Sequence, residues 1–277
     1  MLMRDLGLSQ RTACVVVGQN RSTQRHVPAT QTVADPDGPL RAELREFARR
    51  HARWGQRRAL VHVRSCGYDV GRKKVQRLWR EEGLRVQRRV RRKRAGTSTV
   101  NPIPADAPNT VWGIDFQFDA TTDGIPFKIA NVIDEHTREV LGGPVARSIT
   151  GHDLAEELDR IAAERGAWPV ALRCDNGPEL VCSALSDWCG QRTGITFIDP
   201  GCPWQNPWIE SFHSRLRDEC LNLNHFRTVL EARVVITDWR QEYNHDRPHS
   251  SLQYLTPASY AANCTHQHNH ELSKTPD

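Results

Sequence analysis

The spacing of apolar residues changes character along the chain. Residues 9–18 predict a short helix, residues 20–25 a basic turn, and the polar stretch to residue 39 a linker. From Leu40 onward the apolar positions recur at helical spacing: Leu40, Leu44, Phe47 and Ala48 share one face, with arginines on the others. After a break at Trp54-Gly55, residues 57–66 form a second helix of this region and Gly67-Tyr68-Asp69 a turn. Residues 71–82 form a third helix with Val75, Leu78 and Trp79 as its stripe. Gly83 stands just past its end, where a left-handed backbone favours glycine. Three short helices with a tight turn before the last predict a small all-α, helix-turn-helix-like domain over about residues 40–84.

Residues 95–108 carry three prolines and little charge, and read as a linker. Beyond it a period of two alternates with a period near 3.6. Strands are predicted over 110–119, 127–133, 139–145, 170–174 and 195–198, with the second and third paired around Asp134-Glu135-His136. Helices are predicted over 153–165, 183–192 and 207–221. Strands interleaved with helices make residues 109–262 an α/β domain. Residues 263–277 read as a frayed polar tail.

Composition narrows the class. A hydrophobic content of 38% with eight tryptophans supplies a packed core and excludes wholesale disorder. No stretch reaches the roughly 20 apolar residues that span a bilayer, and the apolar run near the start is too short for a signal peptide. A cytoplasmic, nucleoid-associated protein without a membrane partner is expected. The eight cysteines include no C-x-x-C pair. Cys264, His266, His268 and His270 are the sole zinc candidate, and a frayed terminus describes them better.

The net charge of +5 conceals an asymmetry: residues 1–94 hold 24 Lys and Arg against 8 Asp and Glu, whereas the remainder holds 14 against 25. A basic front half neutralises phosphates and releases counterions, so residues 1–94 read as a DNA-binding region. In that reading Arg72, Lys73 and Arg77 face DNA, with Lys74 beside them for the backbone. Residues 84–94 continue as a basic arm in which Arg88, Arg89, Arg91 and Arg92 track phosphate or enter a minor groove. The bland alternative is a solvated basic helix in an ordinary bundle. The acidic back half has carboxylates to spare for hard cations.

Three of those carboxylates stand out by position. Asp115 interrupts a strong strand, opposite the face shared by Trp112, Ile114, Phe116 and Phe118, where an unneutralised carboxylate is costly. Asp175 follows an apolar strand and precedes Asn176-Gly177-Pro178, where α/β enzymes place catalytic groups and ordinary turns place Asp. Glu210 lies in the first turn of a helix opening at Pro207, beside His213, Ser214 and Arg217 on one face. Each alone fits a solvated surface. Together they offer hard oxygen ligands from three rigid elements, enough to hold two Mg²⁺ about 3.5–4 Å apart for in-line displacement at phosphorus. Asp119, on the same strand face, stands about 13 Å further along at 3.3 Å per residue. Glu179 and Glu219 rank below the three as well. Arg247 and His249 either contact DNA or cap the core.

The run Cys174-Asp175-Asn176-Gly177-Pro178-Glu179 and the run Pro203-Trp204-Gln205-Asn206, followed by Ile209-Glu210-Ser211-Phe212, resemble the integrase-like transposases of bacterial insertion sequences. So do residues 216–222, the run Tyr243-Asn244 with Arg247-Pro248-His249, and the basic helical stretches at Trp54-Gly55 and Arg77-Leu78-Trp79. The resemblance spans roughly residues 8–260 and is to the second-frame product of elements that encode transposase in two overlapping frames.

It implies an RNase H-like core, a mixed sheet with flanking helices, in which Asp115, Asp175 and Glu210 are catalytic and metal-binding. Two Mg²⁺ ions, or Mn²⁺ in their place, are implied as cofactors. Arg217 and His213 would then lie toward substrate DNA. The implied reaction is cleavage at element ends and transfer of the 3′-hydroxyl to target DNA. The implied partners are a first-frame transposase product and further copies of the chain on DNA. Rival readings are a plain RNase H-like nuclease and a non-catalytic or decayed DNA-binding regulator of transposition. One departure is visible: 34 residues separate Asp175 from Glu210, slightly fewer than the family's usual spacing. A shortened turn at Gly194-Ile195 would absorb it.

Overall fold

A computed structural model describes residues 7–25, 35–86, 103–175, 177, 180–190, 193–198 and 206–272, with side chains as far as residue 264. Helix α1 (Gln10–Val16) begins after Ser9, whose hydroxyl accepts the Thr12 N–H at 3.2 Å. The expected basic turn is instead a short helix, α2 (Arg21–Arg25), because the Asn20 side chain accepts the Ser22 N–H at 3.0 Å and satisfies one of its opening donors. Helices α3 (Gly38–Arg50), α4 (Gln56–Ser65) and α5 (Arg72–Glu81) pack around one core. Leu44, Phe47, Val75, Leu78 and Trp79, of the apolar stripes that their spacing predicts, fill it together with Val63.

The second body is built on a six-stranded mixed sheet. Strands β1 (Val111–Ala120), β2 (Pro126–Asp134), β3 (Val140–Gly142), β4 (Val145–Ala146), β5 (Ala171–Cys174) and β6 (Gly194–Phe197) lie in the order β3-β2-β1-β5-β6, with β4 also on β2. The first pairings are antiparallel, and β1-β5-β6 run parallel. Asp115 stands directly across from Asn131, so their side chains share a face. The single strand predicted over 139–145 is split. Gly143 adopts φ +128°, and a Cβ there would come within 2.0 Å of the Ala130 carbonyl oxygen.

Helices cover both faces. On one, α6 (Gly151–Arg165) and α7 (Ser183–Cys189) bury Leu154, Leu158, Ile161 and Leu185 against Trp112, Ile114 and Leu172. On the other, α8 (Pro207–Glu219) and α9 (Val229–His245) bury Phe212, Leu216, Ile236 and Trp239 against Phe127, Ile129 and Ile133. This order and direction of strands between two helical layers is the RNase H-like arrangement. Two boundaries differ from the sequence reading. Gly194 and Ile195 pair with Ala171 and Leu172 inside β6, so no shortened turn lies there; α7 ends early instead, at Gly190. Of the expected polar tail, residues 263–272 lie within α10 (Pro257–Leu272), which opens at a proline with Thr256 accepting the Ser259 N–H at 3.3 Å; residues 273–277 lie outside the described residues.

Candidate active site

Helix α8 lies along β1 in the same direction, and three side chains of β1 meet it in turn. His213 Nδ1 stands 3.5 Å from Asp115 Oδ2, Gln117 Nε2 donates to the His213 carbonyl at 3.2 Å, and Arg217 donates to Asp119 Oδ2 at 3.0 Å. Glu210 sits one turn before His213, in the first turn of α8. Gly113 pairs with Arg173 in the parallel β1-β5 ladder, so two residues further on Asp175 comes level with Asp115. The Asp175 carboxylate accepts the Gly177 N–H at 3.0 Å. A Cβ on residue 177 would approach that same oxygen to 3.0 Å, so glycine permits the tight turn.

The electrostatics join these groups. Burial pushes the Asp115 carboxyl up to about 7; the Phe116 N–H opposes this, and the negative charges of Asp175 and Glu210 add to it. Asp115 therefore faces two carboxylates, and among the described residues neither its ion pairs nor its hydrogen bonds include an arginine or lysine. The three groups are spread more widely than one tight ligand set. Among the described residues, only Glu43, His62 and Cys66 bring three ligand atoms within 4.8 Å of one another. That cluster is a poor metal site, because Arg50 approaches Glu43 to 3.7 Å and His62 already meets it at 2.7 Å. Burial, with the charges of Arg240 and Arg217, pulls the His213 imidazole down to about 4, so it is neutral at pH 7.

Models of the integrase core domain match residues 105–201 and 191–257. A 31.7 kDa protein of insertion element IS407 from Burkholderia multivorans is 41% identical over 94% of this chain and 93% of its own length. A 39.2 kDa protein of insertion element IS476 from Xanthomonas euvesicatoria is 39% identical over 99% of this chain and 79% of its own. The chain belongs to the bacterial insertion-sequence transposases with an integrase-like core. More distantly, it is 28% identical to the transposase InsF of insertion sequence IS3A from Escherichia coli, over 78% of this chain and 80% of that one. Solved structures similar in fold include the HTLV-2 integrase catalytic core domain (TM-score 0.44, 13% identity, 57% of this chain and 99% of that one). The BIV integrase core is another (TM-score 0.42, 17% identity, 58% and 99%). The transposase is thus a polynucleotidyl transferase that acts on DNA and uses a divalent cation. Among its described residues, no helix is long and apolar enough to cross a membrane.

The transposase distributes its predicted DNA contacts unevenly. Arg72 and Lys73 are exposed on α5, and neither has an ion pair or hydrogen bond among the described residues. Lys74 and Arg77 are half-exposed and bound to Asp37 at 2.6 and 3.0 Å, with Arg77 also on Glu81. They knit α5 to the start of α3 instead of standing free. Arg88, Arg89, Arg91 and Arg92 lie outside the described residues, as does Glu179. His213 is turned inward to Asp115 and Asn131. Arg217 is drawn onto Asp119 and the Phe118 carbonyl.

Glu219 receives Arg247 at 2.6 and 2.8 Å and the Trp54 indole N–H at 3.1 Å. Arg247 and His249 are buried, so of the two readings open for them the structure selects capping of the core. Sequence reasoning passed over Asn131 and Arg240 altogether. The sequence trace of Asn131 is a lone amide in the apolar run of β2; nothing local marks Arg240.

Proposed function

We propose that Asp115, Asp175 and Glu210 are the catalytic, metal-holding triad of this transposase, and that it cleaves DNA at the ends of its insertion sequence and joins the 3′-ends to target DNA. The observation that carries the reading is the convergence of three carboxylates, of which Asp115 meets no arginine or lysine among the described residues. Asp115 comes from β1, Asp175 from the residue after the parallel strand β5 and Glu210 from the helix above, and the Asp115 carboxyl is lifted to about 7. Three hard oxygen donors brought together fit Mg²⁺, or Mn²⁺ in its place. Two such ions, when bound, lower the pKa of an attacking water or 3′-hydroxyl and neutralise charge at the scissile phosphate.

The chain's own contribution is positioning. Strands and helix fix the carboxylates, and the paired sheet face keeps bulk water from one side. Arg72 and Lys73, with the basic arm from residue 84, hold phosphates, and the region 1–94 serves as the DNA-binding unit ahead of a core over 109–262. A first-frame product and further copies of the chain complete the assembly on DNA in the cytoplasm.

The test combines purified chain, first-frame partner, Mg²⁺ and labelled element-end DNA. Cleaved ends and joined strands are expected, and Asp175→Asn should abolish both. Cleavage undiminished in that variant refutes the triad; cleaved ends without joined strands make the protein a plain nuclease.

A further inference from the structure

Asp115 has a positioning partner that reaches it through three side chains from three different elements. The relay starts at Arg240 of α9, which is buried and donates to the carbonyls of Gly143 and Ala130 at 2.6 and 2.8 Å and to Asn131 Oδ1 at 2.8 Å. A guanidinium has donors and no acceptor. The Asn131 atom facing it must therefore be the amide oxygen, which removes the usual ambiguity of amide orientation. Asn131 is fully buried, and its NH₂ group is left facing His213 Nε2 at 3.0 Å. An amide NH₂ only donates, so Nε2 must be the bare, accepting nitrogen. The proton of the neutral ring then sits on Nδ1, and Nδ1 faces Asp115 Oδ2 at 3.5 Å. The other oxygen of Asp115 already holds the Phe116 N–H at 2.7 Å.

We propose that Arg240 and Asn131 set the tautomer of His213, making it an Nδ1–H donor that orients the Asp115 carboxylate for metal binding. The placement follows from the register: Asn131 is the cross-strand neighbour of Asp115, and His213 straddles the two strands from above. At 3.5 Å the last contact is longer than a good hydrogen bond, and contacts of this kind tighten when the site is loaded. Hydrogen bonds of this sort behind a ligating carboxylate are worth tenfold to a hundredfold in metal affinity. His213 is thus a positioning residue and not a DNA contact. The inference rests on the reading of Asp115 as a metal ligand.

The experiment uses the full chain labelled with ¹⁵N-histidine. Long-range proton–nitrogen correlations assign the His213 tautomer in metal-free protein near pH 7.5, and Mn²⁺ affinity is measured by water-proton relaxation. Wild type should show Nδ1–H. In Asn131→Asp the new carboxylate keeps Arg240 satisfied but demands a donor from His213. The tautomer should invert to Nε2–H and Mn²⁺ binding should weaken about 10- to 100-fold. His213→Phe, which leaves the Arg240–Asn131 contact in place, should show the same loss and supplies the affinity readout should Asn131→Asp not fold. An Nε2–H tautomer in wild type overturns the proposal. So does unchanged Mn²⁺ affinity in either folded variant. Failure of the wild-type chain to bind Mn²⁺ would instead count against the triad, while the tautomer would still decide the relay.

Discussion

The two ends of α8 treat carboxylates in opposite ways. At its first turn, Glu210 lies near Asp115 and Asp175, and Asp115 is driven up to about 7. Nine residues later, Glu219 is buried more deeply, with its side chain 4% exposed. Burial alone would raise it too. The hydrogen bonds and charge of Arg247, the charge of Arg58 and the Trp54 N–H outweigh burial and hold it below the usual carboxylate range. One end is a finished ion pair. The other sets Asp115 beside two further carboxylates, with no arginine or lysine on Asp115 among the described residues. On the proposed function the helix links two tasks: its acid-rich end would meet the scissile phosphate, and its satisfied end anchors the helical body. That anchor includes Arg58 donating to the Pro248 carbonyl at 3.0 Å and His51 meeting Glu242 at 2.9 Å.

The largest effect should come from breaking the finished end. Arg247→Ala leaves Glu219 buried without its main partner and should cost about 3–5 kcal/mol in denaturant unfolding. A loss under about 1 kcal/mol would mean that water replaces the arginine and that the two ends differ little.

At the acid end the sign reverses. A carboxyl whose folded pKa lies above its unfolded value binds protons more tightly when folded. Below about pH 4 both states are protonated and nothing changes. Between about pH 4 and pH 7 the metal-free protein should lose stability as pH rises, and above that the penalty is constant. The ceiling is about 4 kcal/mol, the equivalent of the full shift, reduced by the partial exposure of Asp115. Asp115→Asn should flatten this slope and raise the melting temperature at pH 8 while abolishing strand cleavage. Mg²⁺ should stabilise wild type at pH 8 far more than the variant.

Smaller changes sharpen the contrast. Trp54→Phe keeps an aromatic side chain but loses the donor to Glu219 and part of the buried ring volume, so a loss of about 1–3 kcal/mol is expected, without effect on Mg²⁺ dependence. A shifted Mg²⁺ requirement would show that the anchor reaches the acid end through α8. The smallest effect belongs to the surface. Lys73→Ala should leave stability unchanged and lower the salt dependence of DNA binding by about one phosphate contact. Lys74→Ala, which loses a partner for Asp37, should alter the melting temperature more than the salt slope.

Periodicity alone carried most of the architecture. Alternation from Trp112 to Phe118 put Asp115 on the face opposite the apolar side chains, and the structure has it there, under α8. The helical stripes Leu44–Phe47 and Val75–Leu78–Trp79 became the core of the helical body. These features depend on residues a few positions apart, and burying a stripe or a strand face needs no knowledge of the partner. What the chain order could not convey is which charges find each other. Arg217 reads as free for DNA until Asp119 meets it, and Lys74 and Arg77 until Asp37 does. His213 reads as a surface histidine until Asn131 and Arg240, 82 and 109 residues apart from the groups they hold, determine where its proton lies. Ion pairing and tautomer choice are settled within about 3 Å, by atoms that only the closed sheet and its two helical layers bring together.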